Sequence, residues 1–124
     1  MTTINPHPDG HFCWNQIATH NVDRTIVFYS ALFGWEIQEE ELGHGDEMVR
    51  MMHKDEFVVG IHRVNESEPP RWEPHLAVSD LKPFLQLVQD QGGVVEEEPQ
   101  SALPYGTMAE IKGPSGTRLC LWSA

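Results

Sequence analysis

Short segments rich in apolar residues recur along the chain and predict strands, and two stretches with helical spacing interrupt them. In the first half, the stretch from Asn21 to Gly34 has helical spacing. Before it, His11–Thr19 predicts a strand whose two faces carry Phe12, Trp14, Gln16 and Ala18 on one side and Cys13, Asn15, Ile17 and Thr19 on the other. Asn21 is a good N-cap because its side-chain oxygen can accept a backbone N–H, and Gly34 is a good stop because glycine readily adopts positive φ. The pattern then predicts three more strands, at Trp35–Glu41, Glu47–His53 and Phe57–Val64.

The second half repeats this order after a polar segment, Asn65–Pro70, that ends in Pro-Pro and predicts a linker. Trp72–Ser79 predicts a strand, and Asp80 caps a helix that tolerates Pro83 because this proline falls in its first turn. A pair of glycines ends the helix. The remaining predicted strands are Val94–Glu98, Thr107–Lys112 and Thr117–Trp122.

The two halves can be superimposed in the sequence. An offset of 59 residues pairs Asn21 with Asp80 and Gly34 with Gly93, and a drift to 60 pairs Gly60 with Cys120. One copy alone would expose a sheet face, so the two copies are expected to share it. The predicted fold is therefore α+β, with two βαβββ modules forming a curved mixed sheet around a cleft. The predicted organisation is an N-terminal arm (1–10) and a single domain (11–124) made of a first module (11–64), a linker (65–70) and a second module (71–124).

Charge and composition narrow the possible partners. With 8 basic and 19 acidic residues, the net charge of −11 would repel nucleic acid and anionic membranes and would favour cationic ligands. The two cysteines form no disulfide framework or zinc motif. The first residues lack the basic start and apolar stretch of a secretory signal, and no apolar run is long enough to cross a bilayer. These features predict a cytoplasmic protein.

Several local motifs resemble those of the glyoxalase/bleomycin-resistance/extradiol dioxygenase superfamily, also called vicinal oxygen chelate. They are Asn21-Val22-Asp23, Phe28-Tyr29 and Leu32-Phe33-Gly34-Trp35 in the first half, and Val78-Ser79-Asp80-Leu81 with Gly92-Gly93 in the second. The Phe-Tyr-x-x-Leu-Phe-Gly-Trp run is typical of a metal-poor branch of small proteins in this superfamily. The resemblance covers residues 11–123. It implies the same two-module fold and a homodimer.

In this superfamily, the members that hold a divalent metal use four His, Glu or Gln side chains, two from each module. The resemblance carries these positions over to Trp14, Gly60, Glu73 and Cys120. Since Trp14 and Gly60 cannot ligate through a side chain, the resemblance implies a protein without a catalytic metal. The alternative is a site for zinc, nickel, manganese or iron made by Glu73, His75 and Cys120, with His62 as a fourth ligand.

These residues lead to two main hypotheses. The first is a protein that binds a small organic molecule in the cleft, as bleomycin-resistance proteins of this superfamily do. Its expected ligand-binding residues are Trp14, Gln16, His62, His75, Met108, Cys120 and Trp122. The second is a metal-dependent lyase, isomerase or dioxygenase. Without a metal, acid–base chemistry would fall to Glu73, His75 or Glu110. A third hypothesis is an interaction module whose cleft binds no ligand.

Overall fold

The secondary structure follows the predicted order in the computed structural model, which describes residues 8–38, 48–101 and 106–124. Its strands and helices are β1 (Phe12–Thr19), α1 (Val22–Phe33), β2 (Glu36–Ile37), β3 (Val49–His53), β4 (Glu56–Arg63), β5 (Arg71–Ala77), α2 (Leu81–Asp90), β6 (Val94–Ser101), β7 (Thr107–Lys112) and β8 (Arg118–Ser123). The α+β class is confirmed. The first seven residues of the predicted arm, and parts of the predicted strands Trp35–Glu41 and Glu47–His53, lie outside the described residues.

Both helices begin at the predicted caps. Asn21 accepts a hydrogen bond from the backbone N–H of Arg24 at 3.0 Å, and Asp80 accepts one from Lys82 at 3.4 Å. The end of α1 is also as predicted, because Gly34 has φ 74° and its N–H donates to the carbonyl of Ser30 at 2.8 Å.

The chain divides into two compact units. The first unit is Trp14–Glu73, and the second combines the chain before Trp14 with Pro74–Ala124. The boundaries therefore fall inside β1 and inside β5. The module boundaries drawn from the sequence, 11–64 and 71–124, stay a prediction.

In the first unit the strand order is β2-β3-β4-β1. β1 and β4 are parallel, with Gln16 opposite Gly60 and Ala18 opposite His62, and the other two pairs are antiparallel. One sheet face carries a core that also includes apolar side chains of α1. The fully or nearly fully buried members of this core are Ile17, Met51, Val59 and Ile61. Gln16, Gly60 and His62 alternate with these residues and so lie on the other face.

The second unit repeats this layout with the strand order β5-β8-β7-β6. β5 and β8 are parallel, and His75 lies opposite Cys120 as Gln16 lies opposite Gly60 in the first unit. Its core is formed by Val78, Leu81, Leu85, Ala109, Ile111 and Leu121. The equivalent registers confirm the internal duplication. In the part of the chain that the structure describes, neither helix is long and apolar enough to cross a membrane.

Candidate functional site

Trp14 lies against Gly60 on the sheet face of the first unit that faces away from α1. A Cβ atom added to Gly60 would meet Trp14 Cζ2 at 3.1 Å and would overlap with Met48 Sδ. The ring of Phe57 meets the indole edge-on, with 6.4 Å between the ring centroids and 72° between the planes. The space that a side chain at residue 60 would need is therefore occupied by the Met48 thioether and the edge of the Trp14 indole.

A chain of hydrogen bonds leads from this indole to a carboxylate. Trp14 Nε1 donates to Gln16 Oε1 at 3.0 Å, and Gln16 Nε2 donates to Glu73 Oε1 at 3.3 Å. Gln16 and Glu73 are both buried, and buried polar groups require such partners. The bonds fix the orientation of the amide and connect β1 with the start of β5.

Glu73 is the centre of the polar network. His62 Nε2 lies 2.8 Å from Glu73 Oε1, and an Arg71 nitrogen lies 2.8 Å from Glu73 Oε2. Arg71 also pairs with Glu68 at 3.0 Å. Gln16 and His62, which both bond to Glu73, are residues that the sequence predicted to line a ligand site.

Arg71 was not predicted from the sequence. The signal that could have found it is its position two residues before Glu73, because alternate residues of a strand share a face. The predicted strand began at Trp72, one residue too late to include it. The structure thus adds a guanidinium to the site.

The surroundings of Glu73 favour its ionised form. Burial by itself raises the pKa of this carboxyl, but the hydrogen bond and charge of His62, the charge of Arg71 and the hydrogen bond from Gln16 outweigh it. The net effect lowers the pKa below its ordinary value of 4.5. Since the carboxylate holds Nε2 of His62, the imidazole presents Nδ1, which bonds to none of the described residues. The His62 side chain is 26% exposed, so a ligand can reach it.

The other predicted site residues lie in the second unit. His75 and Cys120 are opposite each other and buried, and the Cys13 thiol donates to the His75 carbonyl at 3.6 Å. Burial raises the pKa of the Cys13 thiol. Met108 lies opposite the buried Trp122, and Glu110 forms an ion pair with Arg118 at 3.2 Å. Their predicted roles in ligand binding and acid–base chemistry stay predictions.

The residues at the superfamily's four metal positions do not fit a metal. Trp14 and Gly60 supply no donor atom, and both oxygens of Glu73 are already bonded to neighbouring side chains. In the described residues of either unit, no three His, Cys, Asp or Glu side chains converge as a metal site requires. The alternative set of Glu73, His75, Cys120 and His62 stays a prediction, as does the protein without a catalytic metal.

A family model described as a glyoxalase-like domain matches residues 13–122. CFP32 of Mycobacterium tuberculosis, named as a proposed glyoxylase, is 28% identical over 116 residues, which cover 90% of this chain and 44% of CFP32. The anthracycline biosynthesis protein DauV of Streptomyces sp. (strain C5) is 25% identical over 137 residues, covering 98% of this chain and 49% of DauV. The chain thus spans less than half the length of these curated relatives.

Solved structures with the same fold include a glyoxalase/bleomycin resistance protein/dioxygenase superfamily member from Vibrio splendidus 12B01. It has a TM-score of 0.61 and 14% identity, and the match covers 90% of this chain and 97% of that one. Methylmalonyl-CoA epimerase from Mycobacterium tuberculosis has a TM-score of 0.60 and 17% identity, with coverage of 91% and 87%. At these identities the likeness shows the fold alone, and it agrees with the resemblance found in the sequence.

Proposed function

Because this chain belongs to the glyoxalase-like domain family, we propose that it binds a small organic molecule without a catalytic metal. The binding surface is the sheet face of the first unit that carries Trp14, Gln16, His62 and Glu73. The observation that carries this proposal is the replacement of two metal positions by an indole seated over a glycine, next to a fully bonded carboxylate. An aromatic wall beside fixed polar atoms suits recognition rather than metal chemistry.

The arrangement of the side chains suggests the class of ligand. The indole of Trp14 offers a flat surface on which a planar group can stack. Nδ1 of His62 offers one directional hydrogen bond beside it. The net charge of −11 disfavours anions. We therefore expect a planar molecule that is neutral or cationic. Since one relative is named for anthracycline biosynthesis, polycyclic aromatic compounds are reasonable first probes.

Calorimetric titrations with proflavine, an anthracycline and an anthraquinone sulfonate test this proposal. Proflavine and the anthracycline are planar cations, and the sulfonate is a planar anion. We expect the cations to bind. Trp14→Phe should weaken their binding about tenfold, because the indole supplies more stacking surface than a phenyl ring.

Trp35→Phe is the matched control. Trp35 stacks on Tyr29 and Phe33, beside the α1 core and away from the Trp14 face, so its replacement should leave affinity unchanged. Equal affinity of wild type and Trp14→Phe would place the ligand elsewhere and contradict the proposal. Binding of none of the probes to the wild type would contradict the ligand class.

A metal-dependent lyase, isomerase or dioxygenase is the second candidate. It would use His62 Nε2 and Glu73 Oε1, two atoms of the types that such metals take, which lie 2.8 Å apart and would have to exchange their hydrogen bond for bonds to the metal. Metal content per chain, measured after incubation with nickel, zinc, manganese or iron and removal of the excess, decides between the candidates. The binding proposal expects a value near zero. One metal per chain, lost in His62→Ala, would contradict the metal-free proposal and favour the enzyme instead.

A further inference from the structure

Arg50 of β3 is the buried basic residue of the first unit. All 8 lysines and arginines of the chain lie in its described parts, and Arg50 is the one that is buried, with 7% of its surface exposed. Burial of a guanidinium is unfavourable unless polar groups surround it. A charge held in such a place is therefore expected to have a role that a surface arginine does not have.

The register of the sheet places Arg50 on the proposed binding surface. Arg50 lies opposite Gly60, and Gly60 lies opposite Gln16, so these three residues form one row across β3, β4 and β1. Val49 and Met51, the neighbours of Arg50 in β3, pack with the core on the α1 side. Because successive side chains of a strand alternate between faces, the side chain of Arg50 lies on the other face, together with that of Gln16.

Gly60 lets the guanidinium and the indole of Trp14 share one area of this face. Opposite residues of antiparallel neighbours have Cα atoms about 4.5–5.5 Å apart, and long side chains reach neighbours one strand away. Residue 60 contributes no side chain, and Trp14 Cζ2 lies only 3.1 Å from the place that its Cβ would take. A ligand that stacks on the indole therefore lies within reach of Arg50.

A guanidinium beside a stacking surface favours oxygen atoms in the ligand. Arg50 has a partner in the folded chain, but a guanidinium carries five N–H donors in a planar fork and no acceptor, so it can bind an oxygen of a ligand as well. Hydrogen bonds from an ionised donor are stronger than neutral ones. The guanidinium also repels a positive group placed next to it, so the charge of a cationic ligand has to lie at its far end.

We propose that Arg50 determines the specificity of the binding site by selecting planar molecules that carry a carbonyl or hydroxyl oxygen at the edge next to β3. This inference rests on the proposed function, because it assigns a role within the same site. The net charge of −11 disfavours anions, so the selected ligand is neutral or cationic and presents an uncharged oxygen to Arg50. Aromatic ketones and quinones belong to this class.

Calorimetric titration with two matched probes tests the role of Arg50. An aminomethyl anthraquinone and the aminomethyl anthracene with its substituent at the same ring position are both planar cations, and only the quinone carries ring oxygens. We expect the wild type to bind the quinone about tenfold more tightly than the anthracene. Arg50→Met should weaken the quinone by about tenfold and leave the affinity for the anthracene unchanged, because only the quinone loses a charged hydrogen-bond donor.

Arg63→Met is the matched control, because it removes the same charge from the neighbouring strand. Arg63 is exposed and directly follows His62 in β4, so its side chain lies on the α1 side of the sheet. This variant should keep the full preference for the quinone. Circular dichroism shows whether each variant is folded. If Arg50→Met does not fold, Arg50→Lys takes its place, since lysine keeps the charge but not the planar fork and should reduce the preference about threefold.

A preference for the quinone that is lost on substitution of Arg50 and kept in Arg63→Met supports the proposal. A wild type that binds both probes equally overturns it, and so does a preference that survives substitution of Arg50. Equal weakening of both probes in Arg50→Met also overturns it, because Arg50 would then only maintain the structure.

Trp14→Phe separates a failure of this inference from a failure of the binding site. It should weaken both probes to the same extent, since both stack on the indole. If it does so while substitution of Arg50 leaves the preference unchanged, the binding site stands and only the role of Arg50 is wrong. If Trp14→Phe weakens neither probe, the ligand lies elsewhere and both proposals are wrong.

Discussion

At the scale of single residues, the carboxylate of Glu73 is the feature that needs most explanation. Its side chain is only 10% exposed, and removal of a charge from water is unfavourable unless partners replace the lost hydration. Arg71 and His62 supply two charged or chargeable donors, and Gln16 supplies a neutral one. The network therefore offsets the desolvation of Glu73 and at the same time fixes the orientation of His62.

Because the pKa of Glu73 is lowered in the folded protein, the free energy of unfolding should depend on pH in the acidic range. A carboxyl whose pKa is lower in the folded than in the unfolded state contributes stability above its unfolded pKa, near 4.5, and loses this contribution as the pH falls through the folded value. We expect Glu73→Gln to be destabilised by about 1–3 kcal/mol at pH 7, because Arg71 and His62 lose their charged partner. Below pH 4.5 the difference from the wild type should shrink.

Urea unfolding at a series of pH values measures this effect. Glu110→Gln is a suitable control, because that carboxylate also pairs with an arginine, Arg118, while the pair is more exposed. Its variant should lose less stability at pH 7. A constant difference between Glu73→Gln and the wild type from pH 7 to pH 3 would show that Glu73 does not titrate with a lowered pKa.

The sequence predicted most of this site but not its bonding. Trp14 and Gln16 were placed on one face by strand alternation, and Glu73 was identified through the resemblance to the superfamily. Alternation says nothing about how far a long side chain reaches. The contact of Arg71 with Glu73, and that of Trp14 with Gly60, follow from three-dimensional packing and became visible only in the structure.

At the scale of elements, the two N-caps differ in quality. The side chain of Asn21 accepts its hydrogen bond at 3.0 Å, whereas that of Asp80 accepts at 3.4 Å, beyond the usual range for N–H···O bonds. We expect Asn21→Ala to cost about 1 kcal/mol and Asp80→Ala clearly less. Chemical denaturation of the two variants provides the comparison. A larger loss in Asp80→Ala would mean that the charge of this aspartate near the helix N-terminus matters more than bond geometry.

Helices were predicted from the sequence more accurately than strands. The ends of α1 depend on Asn21 and Gly34, whose chemistry is local. A strand ends where its partner ends, which the sequence of one segment does not show. β6 was predicted to end at Glu98 but continues to Ser101, because Gln100 and Ser101 pair with the start of β7. The alternation of residues between strand faces likewise could not predict the register shifts within the β6–β7 pair.

At the scale of the whole molecule, the net charge of −11 should oppose folding through repulsion among acidic side chains. Added sodium chloride screens this repulsion. We expect Tm to rise by a few degrees between low and physiological salt. Differential scanning calorimetry at fixed protein concentration measures the shift. A Tm that falls with added salt would show that attractive ion pairs such as Arg71–Glu73 outweigh the repulsion.

The contact between Trp14 and Gly60 also limits which pairs of residues homologues can carry at these two positions. A side chain at residue 60 would force the Met48 thioether to move and would press on the indole, so the sizes of the residues at positions 14 and 60 are coupled. A bulky side chain at residue 60 and an indole at residue 14 would therefore compete for the same space. Homologues that retain a carboxylate at residue 60 are then expected to carry no tryptophan at residue 14.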